Sequence, residues 1–171
     1  MRDTLLHVVP AQRARWLGVL TAALILVLAA PPAYHARAAG PPIDASGAYV
    51  RTSFAQSNIR IMGEVTMFDF TETQALTGAI SGTTVLQGSC AVPPTLQAVC
   101  QAISTFTGTV DGHSGTAEFR DIVFIDLTTG TLHGSFTIIS GTDDLATLHG
   151  HGTFQAVRGS GSYAAQLVFG P

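Results

Sequence analysis

The sequence predicts an all-β protein: about eight antiparallel strands in an up-and-down β-barrel behind an N-terminal signal segment, with a two-sheet β-sandwich as the alternative. Three observations predict it. From Phe106 to Phe119, apolar and small polar residues alternate on both sides of Asp111-Gly112. An Asp-Gly pair between alternating runs is a strong hairpin signal, because both central residues of the tight turn need positive φ. After residue 40 no stretch keeps a 3.6-residue apolar period over the roughly ten residues that a helix needs. Glycines also fall inside the strand-like runs, at Gly78, Gly108, Gly134, Gly150 and Gly152. They weaken a flat sheet but are expected where a closing barrel coils sharply. Nearly all connections are of hairpin length, which favours a barrel over the crossings of a sandwich, and closure removes exposed sheet edges.

Residues 1–38 read as a signal peptide, 39–45 as a short linker and 46–171 as the barrel domain. Arg2, Arg13 and Arg15 precede the apolar run Trp16–Ala30, and Ala36-Arg37-Ala38 supplies an Ala-x-Ala cleavage pattern. The run is short of the ~20 residues that span a bilayer, although an uncleaved anchor is the alternative. The expected location is secreted or extracytoplasmic, with membrane contact only through this segment before cleavage.

The first strand is expected over Ser46–Ala55. A polar turn at Gln56-Ser57-Asn58 then leads to a long second strand from Ile59 to about Thr73. Within it Ile59, Ile61, Val65 and Met67 alternate with Arg60, Glu64 and Thr66, a period of two. Met67-Phe68 and then Phe70 shift the apolar phase, which predicts a bulge or bend near Phe68. Leu76–Leu86 is the third strand, and five more follow over 103–110, 115–125, 131–140, 148–157 and 162–169. Cys90 and Cys100 are the only cysteines. In an oxidising compartment a pair this close forms one disulfide, adds roughly 2–3 kcal/mol by constraining the unfolded chain, and is expected to pin a long loop.

Without residues 1–38 the eight Lys+Arg fall to Arg51, Arg60, Arg120 and Arg158, four cations against ten acids and a net charge of −6. Four scattered cations cannot neutralise a run of phosphates, so nucleic acid is not an expected partner. The acidic balance reads as solubility.

The run Phe106–Phe119, the stretch from Gly134 through Gly141-Thr-Asp-Asp144 and His149-Gly-His151 to Phe154, and Gly161-Ser-Tyr163 resemble an uncharacterised bacterial family. It is a domain-of-unknown-function (DUF) family grouped with allene oxide cyclase-like barrels. The resemblance covers most of residues 39–171 and implies an eight-stranded barrel of lipocalin-like build. It brings no activity. The cyclase group acts on a fatty-acid-derived epoxide in an apolar barrel cavity, but none of its site residues maps onto this chain. The export signal and the cysteine-closed segment 90–100 depart from the family, and that segment would sit as an insertion over one barrel end.

Histidine offers the most chemical constellation. His149 and His151 share a strand face, and a hairpin centred near Thr142-Asp143 would bring His133 opposite about Gly152, beside His151. Such a trio can hold zinc with an open position. Leu132, Phe136, Leu148 and Phe154 have the opposite parity, however, so the histidines face outward as a solvated strand surface. Glu118 and Arg120 read as a surface ion pair of small value, and Asp143-Asp144 as a turn pair. No Gly-x-Ser-x-Gly elbow stands on a strand-to-helix turn, and no phosphate loop occurs. No cofactor is called for, and nothing is a signature of catalysis. The favoured reading is a barrel that binds a small apolar ligand, lined by Tyr49, Phe54, Phe68 and Phe70. The alternatives are a structural or interaction module with a filled barrel, and a cavity isomerase or metal-assisted enzyme. The sequence does not fix an oligomeric state.

Overall fold

The computed structural model describes residues 40–170; the expected signal segment lies outside them. Eight antiparallel strands follow in chain order: β1 (Ile43–Met62), β2 (Val65–Gly78), β3 (Ile80–Val92), β4 (Gln97–Val110), β5 (His113–Asp126), β6 (Thr131–Gly141), β7 (Leu148–Val157) and β8 (Ser160–Phe169). Each pairs with the next, and β8 pairs back onto β1 from Ile43↔Leu167 to Val50↔Ser160, closing the ring. The expected up-and-down barrel is therefore the fold. A 3₁₀ turn, Asp143–Leu145, is the regular helical element among the described residues.

Alternation sets what the barrel encloses. Along β4, Ala98, Cys100, Ala102, Ser104 and Phe106 are buried while the residues between them face out. Because strand direction alternates, the turns fall into two sets. One end, the base, carries Ala79, Asp111-Gly112, residues 142–147 and the first and last described residues; the other, the mouth, carries Gly63-Glu64, residues 93–96, 127–130 and 158–159. A cluster around Phe106, Val110, Phe119, Ile138 and Leu167 fills the base, and Leu145, fully buried on the 3₁₀ turn, plugs it. The Tyr163 hydroxyl locks β8 to the β2–β3 turn. It accepts from the Ile80 N–H at 2.8 Å and lies 2.9 Å from the Ile80 carbonyl, to which it can donate.

Two of the interior glycines serve as ring slots. Gly134 lies directly opposite Phe154 and Phe136 directly opposite Gly152. A Cβ at either glycine would sit 2.5 Å from the facing aromatic ring. The rings occupy the space that side chains would take, a cross-strand pairing of aromatic with glycine that also lets the sheet curve.

The second strand boundary differs from the sequence expectation. The chain does not turn at Gln56–Asn58 but continues to Met62 and turns at Gly63-Glu64, where Gly63 takes φ 64°. Asn58 does adopt the left-handed conformation, φ 48°, as a bulge where the register shifts between Ser57 and Arg60. Its amide is satisfied within the ladder, donating to Asp69 Oδ2 at 2.8 Å, so the polar trio does not need a turn. The irregularity expected near Phe68 is carried by the facing strand. β2 pairs unbroken with β3 from Thr66↔Val92 to Leu76↔Gly82. On the β1 side Asn58 and Ile59 stand against Phe68 alone, where the register shifts between Ser57↔Asp69 and Arg60↔Met67. The turn into β3 falls at Ala79, not near residue 75.

The cysteines correct a further expectation. Residues 90–100 are not an insertion over the barrel end: β3 runs on to Val92 and β4 starts at Gln97, so residues 93–96 alone turn. Cys90 and Cys100 are directly opposite, Cα atoms 4.0 Å apart, and their disulfide staples two adjacent strands in the wall. Small residues such as Gly88 and Ser89 had masked the continuing alternation.

Candidate functional site: an internal cavity with a polar waist

Between the packed base and the mouth the barrel is not filled. A cavity of about 290 Å³ occupies this space, close to the lower bound of ligand-holding pockets at roughly 300 Å³. Tyr49, Phe54, Phe68 and Phe70, the four side chains picked from the sequence, all lie on its wall. Phe54 stacks on Phe70 with ring centres 5.9 Å apart, and the Arg51 guanidinium lies 4.9 Å from the centre of the Phe54 ring. Leu86, Val123 and Ile125 extend the apolar wall, and the Cys90–Cys100 disulfide forms part of it. Leu127, Gly130 and Arg158, from the mouth turns, line it as well, so the cavity reaches the mouth end.

Across its middle runs a layer of polar side chains that the sequence reading did not single out: Arg51, Glu72, Gln74, Thr84, Ser104 and Asp121. Glu72 is buried and fully engaged. Arg51 Nη2 is 2.9 Å from Glu72 Oε2, and Gln74 Nε2 donates to Oε1 at 2.7 Å. Asp121, 5% exposed, accepts a 2.5 Å hydrogen bond from the Ser104 hydroxyl to Oδ2. Burial pushes its carboxyl up to about 6; the Ser104 hydrogen bond opposes this and the nearby Glu72 charge adds to it. Burial also pushes the Tyr49 phenol up, reinforced by Glu72. Among the described residues two buried side-chain polar atoms have no partner: Thr84 Oγ1 and Arg51 Nε. A buried polar atom without a partner is costly and calls for an explanation. The layer can hold a small polar group inside an otherwise apolar chamber.

A signal for these residues was present. Asp121 shares parity with Phe119 and Val123, Glu72 with Phe70, and Ser104 with Phe106, so each is a polar residue at an inward position.

The histidines are not brought together. His133, His149 and His151 are all exposed. His133 lies opposite Gln155, three positions from the expected register, and His151 opposite Thr137. His133 stacks on Phe124 instead, ring centres 5.4 Å apart. The 3₁₀ turn lengthens the β6–β7 connection, which is why the assumed hairpin centre misplaced the pairing. Among the described residues no group of three or more His, Cys, Asp or Glu could hold a metal ion. Nor do Glu118 and Arg120 pair; Glu118 accepts from the Ser140 hydroxyl at 3.3 Å.

Fold and site together define a small closed β-barrel with a chamber that is apolar at its wall and polar at its waist. The chain belongs to the DUF3224 family of proteins of unknown function, whose sequence model matches residues 45–167. It is similar to the crystal structure of a DUF3224 protein from Shewanella oneidensis MR-1, with a TM-score of 0.65 and 16% identity over 77% of this chain and 99% of that one. At that identity the likeness shows the fold. No curated protein matches the chain, and neither match bears on the likeness to allene oxide cyclases.

Proposed function

We propose that this protein is an exported binding barrel that holds one small apolar molecule in its interior. The cavity carries the reading: an apolar chamber beside a packed base, reached from the mouth end, is what a carrier needs and what a filled structural barrel lacks. Export is supported by the leader pattern of residues 1–38 and by a disulfide, which persists in oxidising compartments. A cavity isomerase is the second reading. It is favoured by Asp121, whose carboxyl is pushed up to about 6 and could take and return a proton near neutral pH.

Titration with N-phenyl-1-naphthylamine, an apolar dye that brightens on leaving water, tests the binding reading. One dye per chain is expected to bind. Leu86→Trp, which adds bulk to the chamber wall, should abolish binding without changing the far-UV circular dichroism. A wild type that neither brightens the dye nor retains a small molecule in native mass spectrometry, when purified from its own host, would overturn it.

A further inference from the structure

We propose that the molecule held in the chamber is an uncharged apolar alcohol, whose hydroxyl group donates to Asp121 and accepts from Thr84 or Arg51 at the polar waist. The proposal rests on the binding reading above and adds the chemical class of the ligand.

The argument is an inventory of donors and acceptors. Glu72 is closed to a ligand, held by Arg51 and Gln74. Asp121 has its Oδ2 occupied by the Ser104 hydroxyl, and no hydrogen bond reaches Oδ1 from the described residues. Arg51 Nε is a buried donor with no partner, and Thr84 Oγ1, on a residue 3% exposed, is a buried hydroxyl with none. All three residues line the one chamber. What is missing is a group that gives one hydrogen bond to a carboxylate and takes at least one from a hydroxyl or guanidinium N–H. A hydroxyl group does both, whereas an ammonium ion only donates, and a carboxylate or an ether only accepts.

Charge decides against an ion. The charged side chains lining the chamber are Arg51 and Arg158 on one side of the balance and Glu72 and Asp121 on the other, two of each sign. A charged head group would have to leave water for a site offering no net compensation. Around the waist the wall is aromatic and aliphatic, which fits a hydrocarbon body attached to that hydroxyl.

Four probes built on one straight ten-carbon chain, with different heads, test this by displacing N-phenyl-1-naphthylamine at pH 7.5: 1-decanol, decyl methyl ether, decylamine and decanoate. 1-Decanol is expected to displace the dye best. The ether, which keeps the acceptor and loses the donor, should be weaker by about tenfold or more, the value of a hydrogen bond to a charged group. Asp121→Asn should narrow the alcohol–ether gap and leave the affinity of the ether within a few-fold of wild type, whereas Thr84→Val, which removes a donor to the oxygen that alcohol and ether share, should preserve the gap. Equal affinity for alcohol and ether in the wild type would overturn the proposal, as would decylamine or decanoate binding tightest. Dye that binds but yields to no decyl compound would refute the alcohol class and leave the binding barrel standing. Dye that never binds would remove both.

Discussion

Asp121 is a carboxyl group in the wall of an apolar chamber, and its environment makes its ionisation costly to the fold. Its ordinary value, 3.8, is pushed up to about 6 by burial, so between about pH 4 and 6 the folded chain holds a proton that the unfolded chain has released. Stability contributed by that proton is therefore present below about pH 4 and is lost as pH rises through about 6. A shift of about two units corresponds to roughly 3 kcal/mol. Asp121→Asn keeps an acceptor for Ser104 and has nothing to ionise. It is expected to match wild type near pH 4 and to be the more stable chain at pH 7, by up to that amount, in denaturant unfolding. Asp69 and Asp126 shift the other way. Hydrogen bonds to their carboxylates, first from Asn58 for Asp69 and from Thr128 for Asp126, hold both down, and both are present in either chain, so the difference isolates Asp121. Parallel pH profiles for the two chains would show that Asp121 ionises without penalty. A residue that gives up stability at neutral pH inside a cavity is what a site kept for a ligand looks like.

At the scale of the strand, the disulfide staples β3 to β4 where they are already paired, Cys90 directly opposite Cys100. It closes a short loop, so the unfolded chain gains less freedom when it is cut than it would from a long one. Reduction is expected to lower stability by about 2–3 kcal/mol while far-UV circular dichroism keeps its β signature, because the ladder on either side does not depend on it. Loss of the β signal on reduction would mean that the staple and not the ladder holds the two strands together. How far each strand was legible from the sequence follows from the same ladder. β5 and β7 alternate cleanly, and their cores were placed correctly. The ends of β3 and β4 were missed because Gly88 and Ser89 carry no apolar phase. The turn at Gln56–Asn58 was misread because a left-handed Asn serves a bulge as well as a turn. Of the site, the aromatic wall was found by residue type. The polar waist was missed although its parity was readable, because a lone inward Asp or Ser looks like any other strand residue until the opposite wall is known.

Across the whole barrel, stability is distributed unevenly. The base is packed around Phe106, Val110 and Leu167 and plugged by Leu145, while the mouth half surrounds a void. Beyond Val50, β1 no longer pairs with β8, so from Thr52 to Met62 it has a ladder on the β2 side alone, with Ile61 77% exposed. Free edges invite pairing with other chains. Here two register shifts and the Arg60–Asp69 ion pair at 3.2 Å interrupt the edge. Local opening requires few buried contacts and many exposed amides, and this stretch has both. Native-state hydrogen exchange should therefore find Thr52–Met62 the fastest-exchanging strand segment. The amides of Phe106–Val110 and Ala117–Phe119 should be among the slowest, opening only with the whole domain. Saturating N-phenyl-1-naphthylamine should slow exchange around Phe54, Phe68 and Phe70 and leave the base unchanged, because a ligand protects the opening reactions that would release it. Uniform protection around the ring, or a base that exchanges before the mouth, would mean that the barrel opens as one unit and that the mouth is not the route in.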